Sequence, residues 1–312
     1  MTRIKKLSFV LIGLLIVSFM LSWVSNKDRV SSFDKSLFAI ADTTQIRGII
    51  IESNGQTISI KRGEEQWSLN DTYRVDPQLV YLSQRILNAV QTQRPVSPSN
   101  FVAIKSDLQE SGRLINVELS DGQSKKFYAG GNAAKTTAYF GNEDLTEIFS
   151  VAIPGYKSYL SGIFELSLNQ WRDRVLFASD WRTIQDLNIN YTDPTQPDLT
   201  IFFDNKFLAV KEVDLLDTAT LMNYLQPMGF FQVNDYLDKG NFTRYDSLLA
   251  VEPIAELTLK DIDSSKNSTL IIYPKIPGER FYLLTDESDE MIVVDQQRME
   301  KLLVTSSFFE VN

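Results

Sequence analysis

IRGIIIESNGQTISIKRGEEQWSLNDTYRVDPQLVYLSQRILNAV, residues 46–90, carries the pattern from which the fold is read. Apolar and polar residues alternate from Ile46 to Glu52, from Thr57 to Lys61 and from Gln66 to Leu69, the period of half-buried strands. Asn54-Gly55 separates the first two runs and tolerates the positive φ of a tight hairpin turn. Arg62-Gly63-Glu64-Glu65 supplies the next turn. Asp76 then offers a carboxylate at an N-cap, and Pro77 suits a first helical position. Leu79, Leu82, Ile86, Leu87 and Val90 fall on one helical stripe, and Arg94-Pro95 closes the helix.

This order of strands, Asp cap and helix returns further along the chain. Leu199–Phe203 and Phe207–Lys211 alternate around Asp204-Asn205, and Asp217 opens a segment with Leu221, Tyr224, Leu225 and Met228. Glu256–Lys260, Thr269–Tyr273, Phe281–Leu284 and Met291–Val294 alternate again, before Asp295 caps a helix with Met299, Leu302 and Leu303. A paired aromatic and a Val follow each later helix, as Phe230-Phe231-Gln232-Val233 and Phe308-Phe309-Glu310-Val311. The predicted fold is α+β: an N-terminal transmembrane helix followed by degenerate repeats of an antiparallel β-meander and a packing helix. The middle stretch adds strands at Ile115–Leu119, Lys125–Ala129, Thr137–Phe140 and Glu147–Ala152. The organisation expected is a cytoplasmic tip and anchor over 1–24, a tether over 25–44 and a first β-rich region over 45–150. A connecting aromatic and Arg segment follows over 151–180, then a second region over 181–312 with two sheet-plus-helix units.

Leu7–Val24 reads LSFVLIGLLIVSFMLSWV without a charge. As a helix it spans roughly 27 Å, close to the hydrocarbon thickness of a bilayer. Arg3, Lys5 and Lys6 precede it, which keeps that end in the cytoplasm, and Trp23 stands where an amphipathic ring favours the interface. A cleaved signal peptide is the rival reading. Cleavage after Ser22 would put Met20 where a small residue is wanted, so retention is favoured. Past the anchor, 28 basic residues face 40 acidic ones, a balance of −12. Such a surface suits neither nucleic acid nor anionic headgroups.

The chain of 312 residues has no Cys and no His. Disulfides, thiolate nucleophiles and Cys-attached lipid are excluded, as is the usual general base near neutral pH. No cofactor or metal is expected: any metal would be a hard ion on oxygen ligands, and neither Glu143-Asp144 with Glu147 nor Asp286–Glu290 has calcium-loop spacing. Asp286–Glu290 reads as a solvated acidic turn. Gly130–Thr136 lacks the spacing of a phosphate loop and reads as a hairpin loop.

The densest unusual segment runs from Ala152 to Leu176. Tyr156, Tyr159, Trp171, Arg172, Asp173 and Arg174 are the candidate partner-binding residues, because Trp, Tyr and Arg dominate protein contacts. The same residues serve a connecting helix packed between sheet units, with Asp173 paired to Arg172 or Arg174, and this packing reading is preferred.

With its N-terminal anchor, Ile49–Glu52, Trp67-Ser68-Leu69, Asp76, Tyr139-Phe140, Pro154-Gly155-Tyr156, Trp171–Leu176 and closing Phe308-Phe309, the chain resembles a family. It is the bacterial domain-of-unknown-function group numbered 4340, over most of the length after residue 40. That resemblance implies an extracytoplasmic accessory protein near a membrane complex, often an ABC-type transport system, including those linked to gliding. It brings no catalytic residues. The expected function is therefore a non-enzymatic, single-pass accessory or scaffold protein of the bacterial inner membrane. Its C-terminal bulk stands in the periplasm, its partners are envelope or transporter proteins, and nucleic acid is not among them. The alternatives are an extracytoplasmic glycan- or peptide-binding module using the segment around Trp171, and a His-free carboxylate hydrolase.

Overall fold

A computed structural model describes Ser18, Met20 and residues 33–311. Arg3, Lys5, Lys6, Trp23 and, apart from those two residues, the run Leu7–Val24 lie outside the described residues, as does the first part of the tether. Among the described residues no helix is long and apolar enough to cross a membrane. The chain is α+β, with antiparallel sheets and few helices. It forms two compact units: one holds the chain up to Thr57 and then Leu82–Glu165, the other Ile58–Tyr81 and Leu166 onward.

In chain order the first half contains β1 (Ile46–Ser53), β2 (Gln56–Arg62), β3 (Trp67–Leu69), β4 (Tyr73–Arg74), α1 (Pro77–Ala89), β5 (Gln91–Pro95) and α2 (Pro98–Glu110). β6 (Arg113–Leu119), β7 (Ser124–Gly131), β8 (Ala138–Asn142), β9 (Ile148–Ala152) and α3 (Leu168–Trp171) follow. The second half contains β10 (Val175–Phe177), β11 (Ile184–Tyr191), β12 (Leu199–Asp204), β13 (Phe207–Val210), α4 (Thr218–Leu225), β14 (Phe231–Gln232) and β15 (Asp235–Leu237). It ends with α5 (Thr243–Asp246), β16 (Ala255–Asp261), β17 (Ser268–Ile272), β18 (Phe281–Asp286), β19 (Met291–Asp295) and α6 (Gln296–Leu302).

In the first unit β1 and β5–β9 form an antiparallel sheet in the order β1-β6-β7-β8-β9-β5. Its core is aromatic. Phe127 and Phe140, on neighbouring strands, lie 4.8 Å apart, and Phe38 and Phe164 pack edge-on around them. Phe38 belongs to the expected tether, and backbone hydrogen bonds hold its segment down. Ile40 N–H donates to Leu87 O, Thr92 N–H to Lys35 O, and Lys125 Nζ to the carbonyls of Leu37 and Ala39. Asn54 and Gly55 both adopt positive φ, as the sequence required of that turn.

Two local expectations are corrected. α1 buries Val80, Ser83, Ile86 and Leu87, with Val90 buried just past its end, while Leu82 is 39% exposed. The buried face is rotated from the apolar stripe because a hydroxyl, Ser83, sits in its middle. The helix also stops at Ala89, and Gln91–Pro95 pairs with β9 as an edge strand, where Pro95 forfeits no ladder bond. α2 has no counterpart among the expected elements: its apolar side is thin, with Leu108 the one fully buried residue, packed on Leu145 and Ile148.

In the second unit, β3 pairs with β2 and β4 in a small meander, turned at Asn70 and Asp71 in the left-handed region. The larger sheet runs β13-β12-β11-β16-β17-β18-β19-β15, all antiparallel. β11 joins the two expected meanders into one sheet. It is not among the expected strands, although Leu187–Tyr191 alternates apolar and polar residues; the register shift between Ile184 and Asp186 sets only Ile184 out of that period. Leu221, Tyr224 and Leu225 of α4 share one core with Met299 and Leu302 of α6. β19 is covered on both faces: Ile292 and Val294 enter that core, while Met291 and Val293 enter a second one with Tyr245 and Leu248. That is why it reads as a continuous apolar run.

Candidate functional site

Within the segment singled out by its aromatics, the Ser167 hydroxyl accepts from Gln170 N–H while the Gln170 side chain accepts from Ser167 N–H. This capping box starts α3 and delivers Trp171 into the interior, fully buried. Trp171 Nε1 finds no hydrogen-bond partner among the described residues. The chain beyond α3 is then pinned to β4 and the residues after it. Asp76 N–H donates to Trp171 O (2.9 Å), Asp173 N–H donates to Arg74 O (2.8 Å), and Val75 bridges Arg172.

Arg172 is 9% exposed. Its guanidinium lies between two rings, 4.1 Å from the centre of Tyr73 and 3.6 Å from that of Tyr236, and pairs with Glu290. Tyr73 hydrogen-bonds the same carboxylate, which raises its pKa above the ordinary phenol value, with burial adding to the effect. Burial raises Tyr236 as well, against the Arg172 charge. The Tyr236 hydroxyl donates to Asp173 O (2.9 Å), and Asn169 Nδ2 donates to Tyr236 O (3.2 Å). One cation thus gathers β4, the end of α3, β15 and the turn before β19. Asp286 shapes that turn by accepting from the N–H groups of Ser288 and Glu290. These groups line a cleft of about 540 Å³.

Asp173 pairs with Arg74 at 3.0 Å, not with Arg172 or Arg174. The reason is backbone register: the strand-like pairing with β4 sets Asp173 beside Arg74. The acidic turn is also not wholly solvated, since Glu290 is engaged by Arg172. Arg174 is half-buried, and its carbonyl accepts from Val233 N–H. Tyr156 and Tyr159 belong to the first unit. Tyr156 is exposed in the turn formed with Gly155 at φ +80°. The Tyr159 hydroxyl donates to Glu165. Among the described residues no three Asp or Glu side chains gather as a metal ion would need.

A further apolar surface of the second unit lies elsewhere, along α4 and α6. Two hollows of about 340 and 450 Å³ share Tyr224, Pro227 and Lys301. Phe230, 64% exposed, borders the first, and Phe308, 53% exposed, borders the second. Their sequence neighbours Phe231 and Phe309 are buried. Each Phe-Phe pair therefore anchors one ring in the core and offers the other to solvent. The floor is held by the Tyr224 hydroxyl, which donates to Leu302 O (2.8 Å), and by the edge-on packing of Tyr224 on Phe309. Lys301 has no ion pair among the described residues, whereas Arg298 is spent on Gln232 O and Asn234 Oδ1. The doubled Phe-Phe-x-Val after each later helix was the signal for this groove.

Comparison of the chain with family models, with curated proteins and with solved structures finds no match.

Proposed function

We propose that this chain is a non-enzymatic, single-pass membrane-anchored accessory or scaffold protein whose extracytoplasmic part docks a partner protein of a bacterial envelope or ABC-type transport complex. The fold behind this reading is an N-terminal transmembrane helix followed by degenerate repeats of meander and packing helix. The observation that carries it is the groove between α4 and α6. Two large rings left in water beside two hollows, on a chain otherwise rich in charge, support a docking site there. The occupant is an amphipathic helical segment of the partner. Two large apolar side chains fill the hollows, and an acidic residue between them meets Lys301. The anchor and its orientation are supported by Leu7–Val24 and by Arg3, Lys5 and Lys6.

The test is recovery of membrane partners from detergent with the full chain and with Phe230→Ser/Phe308→Ser. Hot-spot residues of this kind each cost more than about 1 kcal/mol when truncated, so recovery should fall at least tenfold while the melting temperature holds. Equal recovery by parent and variant would sink the docking reading. Orientation is tested separately. The chain lacks Cys, so Ser264→Cys in an exposed turn gives a single label site. A membrane-impermeant maleimide should label it in intact spheroplasts, and labelling only after lysis would refute the placement.

A further inference from the structure

The first unit holds a second, more enclosed cleft of about 280 Å³ between the end of α2, the start of β6 and the loop joining β7 to β8. On its wall, Arg113 Nη1 donates to Ser53 Oγ and to Ser111 O. Among the described residues no carboxylate pairs with this half-buried guanidinium, and its Nη2 and Nε donors meet no protein acceptor. Lys135 stands across the cleft on Glu165 at 2.6 Å. Two carboxylates share the lining: Asp107, exposed on α2, and Glu165, which is already shared with the Tyr159 hydroxyl at 2.5 Å. Burial works against charge on Glu165, but the bonds from Lys135 and Tyr159 outweigh it and hold its pKa low. The Tyr139 hydroxyl, also on the lining, has no partner among the described residues. Lys135 is thus taken up by Glu165, while Arg113 and Tyr139 keep donors to spare on the lining. On the other side Ile104 and Leu108 present an apolar wall.

We propose that this cleft binds a small carboxylate carrying a short aliphatic group. Arg113 receives the carboxylate through its planar donors, Tyr139 adds a hydroxyl, and the aliphatic group lies on Ile104 and Leu108. Two sources share this chemistry: a free organic or acylamino acid, and the C-terminus of a peptide. The site is independent of the docking groove and stands or falls without it.

The experiment is calorimetric titration of the full chain in detergent with N-acetyl-L-leucine and with N-acetyl-L-leucinamide, which lacks the carboxylate. The acid should bind saturably and the amide at least tenfold more weakly, since each charged hydrogen bond carries a large share of so small a ligand's affinity. Arg113→Gln should lower affinity for the acid by a similar factor. Ala133→Trp guards against a variant that merely unfolds: Ala133 is exposed at the rim, so the indole blocks the cleft without touching the core. It should abolish binding at an unchanged melting temperature. A peptide ending in free leucine that binds more tightly than the acylamino acid identifies a chain terminus as the source, and equal affinity identifies the free acid. Absence of saturable binding at millimolar acid, equal binding of acid and amide, or full binding by Ala133→Trp would each overturn the proposal.

Discussion

Replacing Arg172 with Ala removes one side chain and disturbs four chain segments at once. The guanidinium is 9% exposed, its partner Glu290 keeps a side chain 23% exposed, and rings flank it on both faces at 4.1 and 3.6 Å. Deleting one member of a buried ion pair costs about 3–5 kcal/mol, because the remaining charge is left uncompensated. Partial exposure of Glu290 lets water reach it, which places the pair's share near the lower bound. The two cation–π contacts add roughly 0.5–2 kcal/mol each. Some of this returns because Tyr73 still donates to Glu290 and the emptied cleft opens to solvent. The expected loss is about 3–4 kcal/mol, measured by urea denaturation with the slope checked for constancy. The sharper test is a cycle of Arg172→Met, Glu290→Gln and both together. Met preserves much of the packing between the rings, and the double variant leaves no charge unpaired. It should therefore be less destabilised than the sum of the singles by about 1–3 kcal/mol. Additive losses, or a loss under about 1 kcal/mol for Arg172→Ala, would show that the pair behaves as a solvent-exposed one.

Four further outcomes follow from single residues. Trp171→Ala, in a fully buried position, should cost about 3–5 kcal/mol, whereas Trp171→Phe should cost less than its lost volume suggests because it removes an unpartnered N–H. Gly131→Ala should cost about 1–3 kcal/mol, since a Cβ there would stand 2.5 Å from Thr137 O and overlap the Tyr159 ring. Glu165 has a folded pKa below its ordinary 4.5, so its contribution is complete above that value and is lost as pH falls through the folded one. Glu165→Gln should flatten that acid limb of the stability profile. Tyr191 runs the other way. Burial, with Asp198 nearby, pushes it from 10.0 up to about 12, so its contribution is full below 10 and is lost as pH rises towards 12. Tyr191→Phe should remove the alkaline loss while costing about 1 kcal/mol at neutral pH through the bond to Val304 O.

The strands that alternate cleanly were legible, and so were the helices whose first residue follows an Asp. Asp217 accepts from the N–H groups of Ala219 and Thr220, and Asp295 from Gln297 N–H, as those caps predict. What escaped was hidden by chemistry the alternation rule does not count. A buried hydroxyl, Ser83, broke the apparent stripe of α1. A register shift left β11, the strand on which the larger sheet is joined, with only the short alternating run Leu187–Tyr191. β5 carries few apolar residues, yet its Thr92 is buried. The Ser167–Gln170 capping box was visible in the sequence but starts a helix too short for periodicity to detect.

The aromatic and Arg segment shows why composition alone separates recognition from packing so poorly. A Trp, a Tyr pair and an Arg bury the same area and make the same stacking contacts whether the opposite surface belongs to another chain or to the same one. Here the opposite surface is the chain's own. Asp76 and Asp173 form backbone bonds across nearly a hundred residues of sequence, and Arg172 closes the seam between the rings of Tyr73 and Tyr236. That seam ties Ile58–Tyr81 into the same unit as the chain beyond Leu166. Phe230 and Phe308 carry less chemistry than Arg172 and drew less notice in the sequence. Their rings nevertheless remain in water, and transferring them out of it is still available as a driving force for association. The surface proposed for a partner is therefore one whose apolar area folding has not used.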